Sequence, residues 1–489
     1  MGGSEGLNQF SRRSIIAGAF MSLAYAAFGE KLFGATLKRV NVILGRPTNS
    51  TIAISVISAT PIALYIEYGY SPTKLTKKTS QISLSALNPS VVELKSLTSN
   101  STVYYRVRSK ASGENAFDLG EVNSFSTQRK QGTTFSFVVQ GDSHPERAGK
   151  MFNEALYTQT LANIASQKPD FMIMLGDDFS IDPLIDKGQA TQVNVENVYS
   201  TQRNWLSATC KSTPLFLVNG NHEQAAAYLL DGTKSNPAVL AGNARLKYFP
   251  LPDTNSFYSA NPESIEFVGK PRDYYSWTWG DALFITLDPY WHSKNAVDNV
   301  AGAGANTSKG AGKATDLWNI GIGDAQYAWF KKTLESSTAK YKFVFAHHVM
   351  GTGRGGIEVS TGYEWGGKDL KGKKTFAEMR PGWELPIHDL MVKHKVTIFF
   401  QGHDHIFVQQ ERDGVIYQSM PNPADPTFSM FNESAYLSGT KAPNSGHVRV
   451  TVGPTEAKVE YFLSARPQDE GANRKNLQIA HSYSVKGKN

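Results

Sequence analysis

Five short segments set histidine, aspartate or asparagine directly behind an apolar run. They are Gly141-Asp142-Ser143-His144, Gly176-Asp177-Asp178, Asn219-Gly220-Asn221-His222-Glu223, His347-His348 and Gly402-His403-Asp404-His405. Six of the eleven histidines of the chain fall in these segments, so they are concentrated rather than scattered. Imidazole and carboxylate suit hard or borderline divalent metals such as Zn, Fe and Mn, and the single cysteine, Cys210, excludes any thiolate site or disulfide framework. Asp142 and His144 lie two residues apart, as do His403 and His405. On a strand that spacing puts both side chains on one face, and on a loop leaving a strand both can still converge. The supply of ligands exceeds what one cation needs, whereas two cations a few ångströms apart and bridged by a carboxylate would use it up. A water between two such cations has a lowered pKa and becomes a nucleophile near neutral pH, so the chemistry read from these residues is metal-assisted hydrolysis.

The elements that must deliver these groups are legible as apolar runs ending at each motif: Phe135–Gln140, Phe171–Leu175, Pro214–Val218, Lys342–Ala346 and Val396–Phe400. Helical stretches are expected between them, near 148–166, 193–208, 323–337 and 385–394, which makes a β-α layered pattern. Open α/β sheets place ligand sites at the carboxyl ends of their strands, so the five motifs are expected on one rim. Segments 224–272 and 294–322, rich in Gly, Asn and Ser, read as surface loops. Hairpins are expected at Tyr275–Trp279 with Ala282–Leu287 and at 447–452 with 456–463. This α/β domain is expected to span 133–465, with 466–489 as a C-terminal tail.

Residues 38–129 have a different texture, of short alternating runs such as Thr51–Val56, Ala63–Tyr68 and Val103–Arg108 between turn residues. That predicts a β-sandwich without chemistry of its own, a packing or positioning module. Leu97, the run 98–102 and Val103-Tyr104-Tyr105 look like the E–F corner of a fibronectin type III domain. Residues 1–26 read as a signal peptide: Arg12-Arg13, an apolar stretch from Ile15 to Ala27, and Ala24-Tyr25-Ala26 as the cleavage site. The arginine pair resembles a twin-arginine signal, which implies the twin-arginine export machinery and a periplasmic, cell-envelope or secreted product with no stable membrane span after processing. An amphipathic N-terminal helix and an uncleaved anchor are the alternatives. The formal charge of +7 over 489 residues, without a run of one sign, fits an anionic substrate or a cell-envelope setting, and nucleic-acid binding is not expected.

Taken in order, D-x-H, G-D, G-N-H-E, H and G-H-x-H resemble the calcineurin-like metallophosphoesterase superfamily. With a fibronectin-like domain in front, the chain is similar to its purple acid phosphatase branch over roughly residues 38–463. The resemblance implies two packed mixed β-sheets flanked by helices and a dinuclear metal centre. It implies that one metal takes Asp142, His144 and His405, that the other takes Asn221, His347 and His403, and that Asp177 bridges them. His347 is preferred to His348 because Val344-x-x-His347 fits the family spacing. One departure is plain. Purple acid phosphatases carry G-D-x-x-Y, whose tyrosinate ligates iron, and here Ser180 stands at that position. Fe(III) at the first site is therefore in doubt, a tyrosinate-to-iron band is not expected, and Fe, Mn or Zn all stay open.

The implied reaction is hydrolysis of a small-molecule phosphate monoester of acid-phosphatase type, with His222 as transition-state stabiliser or general acid. A phosphodiesterase or nucleotidase on the same metals is the nearest alternative, and a non-catalytic binding module of the cell envelope the other. His348 reads either as a group behind the ligands or facing phosphate, or as core packing. Asp404 and Asp178 are expected to anchor their loops. Arg354, in the glycine-rich run Gly351–Gly356, reads as a phosphate clamp or as part of a flexible loop. Tyr363, Glu364 and Trp365 offer an aromatic wall for the leaving group. His292 reads as an exposed loop residue or a pocket residue, and His388, His394, His447 and His481 as structural or exposed.

Overall fold

The computed structural model describes residues 40–224, 230–297, 317–349, 354–369 and 371–488. The signal read over 1–26 and Gly351–Gly353 lie outside the described residues. Alternating side chains of the N-terminal module form β1 (Asn41–Gly45), β2 (Ile52–Ile57), β3 (Ile62–Gly69), β4 (Lys77–Lys78), β5 (Ile82–Leu84), β6 (Ser90–Leu94), β7 (Thr102–Ala111), β8 (Asp118–Leu119) and β9 (Asn123–Ser126). Strands β3, β4, β5, β7, β8 and β9 make one sheet, and β1, β2 and β6 lie in another. Inward residues of both, among them Ile54, Leu64, Ile66, Val103 and Phe125, share one apolar core. Tyr105 is buried in that core, yet its hydroxyl donates to Lys211 O at 2.6 Å, which ties the module to the rest of the chain.

The remaining strands are β10 (Phe135–Gln140), β11 (Phe171–Met174), β12 (Leu215–Leu217), β13 (Ser259–Ala260), β14 (Tyr275–Trp279), β15 (Ala282–Thr286), β16 (Tyr341–Phe345), β17 (Ile398–Gln401), β18 (Phe407–Arg412), β19 (Val415–Ser419), β20 (Thr440–Ala442), β21 (Gly446–Val452), β22 (Glu456–Leu463) and β23 (Ile479–Lys486). Among the described residues they complete two large sheets, ordered β23-β22-β21-β10-β11-β12-β1-β2-β6 and β13-β14-β15-β16-β17-β19-β18-β20. The central strands pair in parallel: β10 with β11, β11 with β12, β15 with β16 and β16 with β17. Their side chains are buried throughout, as a sheet covered on both faces requires.

Between the sheets lies an aromatic core that includes Phe137, Phe171, Phe284, Phe343, Phe345 and Phe400. Helices Glu154–Gln167, Gln192–Cys210 and Pro237–Tyr248 cover the outer face of the first sheet, and Gly323–Glu335 and Ile387–Lys393 that of the second.

Two expectations need correction. The segment 224–272 is not all loop: Asn236 caps a helix that starts with Pro237 and buries Arg245, whose guanidinium donates to Leu217 O, Pro271 O and Arg272 O. The segment 466–489 is not a free tail, because β23 extends the first sheet by pairing with β22. The sandwich is joined to the α/β module, since Gly45 of β1 pairs in parallel with Leu215 of β12 and one sheet runs through both. Buried Arg203 reinforces that junction, donating to Asn41 Oδ1, Ser55 Oγ and Ser55 O as well as to Tyr248 O.

Candidate metal centre

Five strands end at one rim, and each hands its loop a motif. Strand β10 leads to Asp142 and His144, β11 to Asp177, β12 to Asn221 and His222, β16 to His347 and His348, and β17 to His403 and His405. The turns are tight. His144, Asp177, His403 and His405 all have positive φ, of 49°, 59°, 68° and 53°. Left-handed backbone at a non-glycine residue costs of order 1–2 kcal/mol. Each buried phenylalanine of the core below contributes roughly 1.5–3 kcal/mol, so the packed sheets can hold the rim in that shape. Gly176 and Gly220 let two of the loops meet: a Cβ on Gly176 would stand 2.3 Å from Gly220 N, and one on Gly220 2.2 Å from Asp177 Oδ1.

The structure brings the seven expected ligands together. Donor atoms of Asp142, His144 and His405 lie within 4.8 Å of one another, and so do those of Asp177, His347 and His403. His144 Nε2 faces His405 Nε2 at 3.1 Å. Asn221 Oδ1 is 2.9 Å from His347 Nε2 and 3.1 Å from His403 Nδ1. Asp177 Oδ2 lies between the groups, 3.0 Å from His347 Nε2 and 3.6 Å from His144 Nε2.

The chemistry of these atoms fits cations. His347 Nδ1 donates to Leu175 O at 2.8 Å and His144 Nδ1 to Glu146 Oε1 at 2.7 Å, which turns the lone pair of each Nε2 into the cluster. Lone pairs of nitrogen, carboxamide and carboxylate thus converge at contact distance, and only a proton or a metal ion reconciles them. The electrostatics agree. Burial by itself would lower the proton affinity of His347, yet the charges of Asp177 and Asp142 raise its pKa to about 10. Burial resists ionisation of Asp177, but the positive groups around it hold its carboxyl well below the usual range. For His144, His403 and His405 burial dominates and pushes the pKa down, which favours the neutral ring that a metal ion needs.

The sequence shows Glu223 only as the last residue of its motif, and other supporting residues escape it. Glu223 is 2 % exposed, and its carboxylate accepts from Asp177 N at 2.8 Å, Asp178 N at 2.6 Å, Phe179 N at 3.2 Å and Gly220 N at 2.7 Å. It clamps the Asp177 loop to the Asn221 loop. Asp182, five residues beyond Asp177, accepts from His222 Nδ1 at 2.6 Å, and Arg147 Nη2 lies 3.2 Å from His222 Nε2. Burial would lower the pKa of His222, but Asp177 and Asp182 raise it to about 9. The only signal for Glu146, Arg147 and Asp182 is their closeness in sequence to a ligand.

Other expected residues sit as follows. Asp178 anchors its loop by accepting from Ser143 N and Ser143 Oγ. Asp404 does the same with Gly355 N, Tyr436 OH and Arg354 Nη1. Arg354 also donates to His403 O at 2.7 Å, so it braces the His403 loop. His348 is buried between His403 and Tyr290, and burial pushes its pKa down to about 3.

Glu364 and Trp365 form no leaving-group wall. Glu364 pairs with Arg380, and Trp365 Nε1 donates to Tyr417 OH inside the helix-covered core. Tyr363 packs on Trp318 in a neighbouring cluster. His292 is only 13 % exposed and faces Asp273 and Glu263, not the rim. His388 and His447 are buried structural residues, bonded to Tyr417 and Asp413 and to Gln167.

The family model described as calcineurin-like phosphoesterase matches residues 135–407. No curated protein matches the sequence. Among solved structures, one titled as PhoD is similar with a TM-score of 0.62 at 16 % identity, over 94 % of this chain and 91 % of that one. The purple acid phosphatase PPD1 of yellow lupin is similar with a TM-score of 0.55 at 15 % identity, over 91 % of this chain and 74 % of that one. These likenesses show the fold, and the family match spans more than half of the chain. The chain belongs to the calcineurin-like phosphoesterase family and is a metal-dependent phosphoesterase.

Proposed function

We propose that the chain hydrolyses small-molecule phosphate monoesters with two cations, one held by Asp142, His144 and His405, the other by Asn221, His347 and His403, with Asp177 between them. The observation that carries this reading is the pair of acceptor clusters meeting at Asp177 Oδ2 beside a hydrogen-bonded His222–Asp182 pair. When bound, the cations lower the pKa of a water and take up charge on phosphoryl oxygens.

The chain's own residues supply the rest. Asp182 holds His222 Nδ1, so Nε2 is the nitrogen turned toward the reaction. As the oxygen of water bonds to phosphorus and the ester P–O bond breaks, His222 gives its proton to the departing oxygen, which leaves as the alcohol beside inorganic phosphate. His222 then regains a proton from solvent. Glu223 and Asp178 keep the Asp177 and Asp142 loops in register, and Arg354 with Asp404 does so for the His403 loop. We also propose export of the protein, on the arginine pair and apolar stretch of residues 12–27.

The test is elemental analysis of the purified protein joined to turnover of p-nitrophenyl phosphate and bis-p-nitrophenyl phosphate. The expected result is about two metal ions per chain and turnover of the monoester. Turnover of the diester alone would replace the proposal by a phosphodiesterase, and metal-free, inactive protein would replace it by a binding module.

A further inference from the structure

We propose that Arg147 is the phosphoryl-binding residue of this site and makes it prefer dianionic monoesters to monoanionic diesters. The inference rests on the phosphoesterase reading above. Arg147 closes the single turn Pro145–Arg147 that begins at His144, so its backbone moves with a metal-ligand candidate. Its Nε donates to Glu146 Oε1 at 3.2 Å, the same oxygen that holds His144 Nδ1 at 2.7 Å. One carboxylate thereby fixes both the imidazole and the guanidinium.

Among the described residues the far end of the guanidinium meets no carboxylate. Nη1 reaches Met151 Sδ at 3.3 Å, and Nη2 stands 3.2 Å from His222 Nε2. The ring it meets stands edge-on to that of His144, 5.1 Å between centroids, so the guanidinium lies beside the first cluster. The position is the right one, because a ring nitrogen of His222 lies within 4.8 Å of a ring nitrogen of His144 and a carboxylate oxygen of Asp177. The side chain is 34 % exposed and therefore reachable.

Arg354 makes the comparison. It is 17 % exposed and its Nη1 is committed to Asp404 and to the carbonyl of His403. A planar guanidinium matches two phosphoryl oxygens, and a monoester offers one more negative charge than a diester.

The experiment uses the metal-loaded protein with Arg147→Ala and Arg147→Lys, after elemental analysis shows that both keep their metal. If alanine sheds metal, the lysine variant carries the test. The expected result is a loss of about 10- to 100-fold in kcat/KM for p-nitrophenyl phosphate, mostly in KM. Inorganic phosphate should bind at least about tenfold more weakly by calorimetry, lysine should recover part of both losses, and bis-p-nitrophenyl phosphate turnover should change much less. Equal losses on both esters with phosphate binding unchanged would assign Arg147 a structural role and overturn the proposal, as would no loss at all. If the wild type turns over neither ester, the phosphoesterase reading fails by itself. Weaker phosphate binding by the variants would then still support Arg147 as the anion site, and unchanged binding would refute it.

Discussion

Glu223→Gln is the sharpest probe of how the rim is held. The carboxylate accepts four backbone N–H groups, two on each oxygen, from Asp177 and Gly220 on Oε2 and from Asp178 and Phe179 on Oε1. Glutamine keeps the shape but turns one oxygen into an NH2 donor, which faces two N–H groups and satisfies neither. Two buried donors left unpaired cost about 1–3 kcal/mol each. Part of that is returned, because burial and the nearby charge of Asp177 make the carboxylate itself expensive, as its raised pKa shows. The net expectation is a loss of about 2–3 kcal/mol in stability.

The larger effect falls on the site. Asp177 N and Gly220 N are the points where the Asp177 loop and the Asn221 loop are joined, so metal affinity and activity should drop about 10- to 100-fold, the range for groups that orient a ligand without touching the metal. The assay is urea unfolding of metal-free protein together with metal titration followed by calorimetry. A Glu223→Gln protein with wild-type metal affinity and activity would refute the clamp, whatever its stability.

Asp182→Asn should leave metal content unchanged and lower kcat by about 10- to 100-fold, because the neutral amide no longer supplies the charge that supports a protonated His222 and can turn its NH2 to Nδ1; stopped-flow and elemental analysis decide. An iron-loaded sample should lack a tyrosinate charge-transfer band in the visible spectrum, since Ser180 occupies the position of that ligand, and a strong purple band would show that another tyrosine ligates. Acid should weaken the fold through His447. Burial holds its pKa at about 3 against 6.5 in the unfolded chain, so the unfolded state binds the extra proton between those values. Stability is whole above pH 6.5 and falls as pH drops toward 3, by up to about 1.4 kcal/mol per unit. In His447→Gln, thermal melts from pH 7 to 4 should show a shallower decline than the wild type, and identical slopes would exclude His447 as the source.

What the sequence made legible follows from locality. Asp142 with His144 and His403 with His405 are paired within three residues at the ends of apolar runs, and a buried parallel strand ends where its apolar run ends. The helix at 237–248 lacked the usual signal because it is buried around most of its circumference, Ala238, Leu240, Ala241, Ala244 and Arg245 included, so no apolar stripe stands against a polar face. Its start was nevertheless written, as Asn236 before Pro237. Strand β23 alternates half-buried with exposed residues at a sheet edge, which leaves little apolar contrast to read. The pairing of Gly45 with Leu215 spans 170 positions and leaves no trace in either segment alone.

The charged supports were hidden for a different reason. Glu146, Arg147 and Asp182 look like ordinary loop residues, Glu223 stands in its motif without a legible role, and what all four do is set by the direction of one oxygen or nitrogen in the folded rim. A metal site therefore shows its ligands in sequence, because those must come in a few residue types at short spacing. The groups that aim the ligands, hold His222 in one tautomer and meet the substrate's charge need only be nearby in space. For this chain the distinction has a chemical consequence. The ligands alone leave monoester and diester hydrolysis equally open, and it is Arg147, with no motif to announce it, that gives the rim a reason to favour the more highly charged ester.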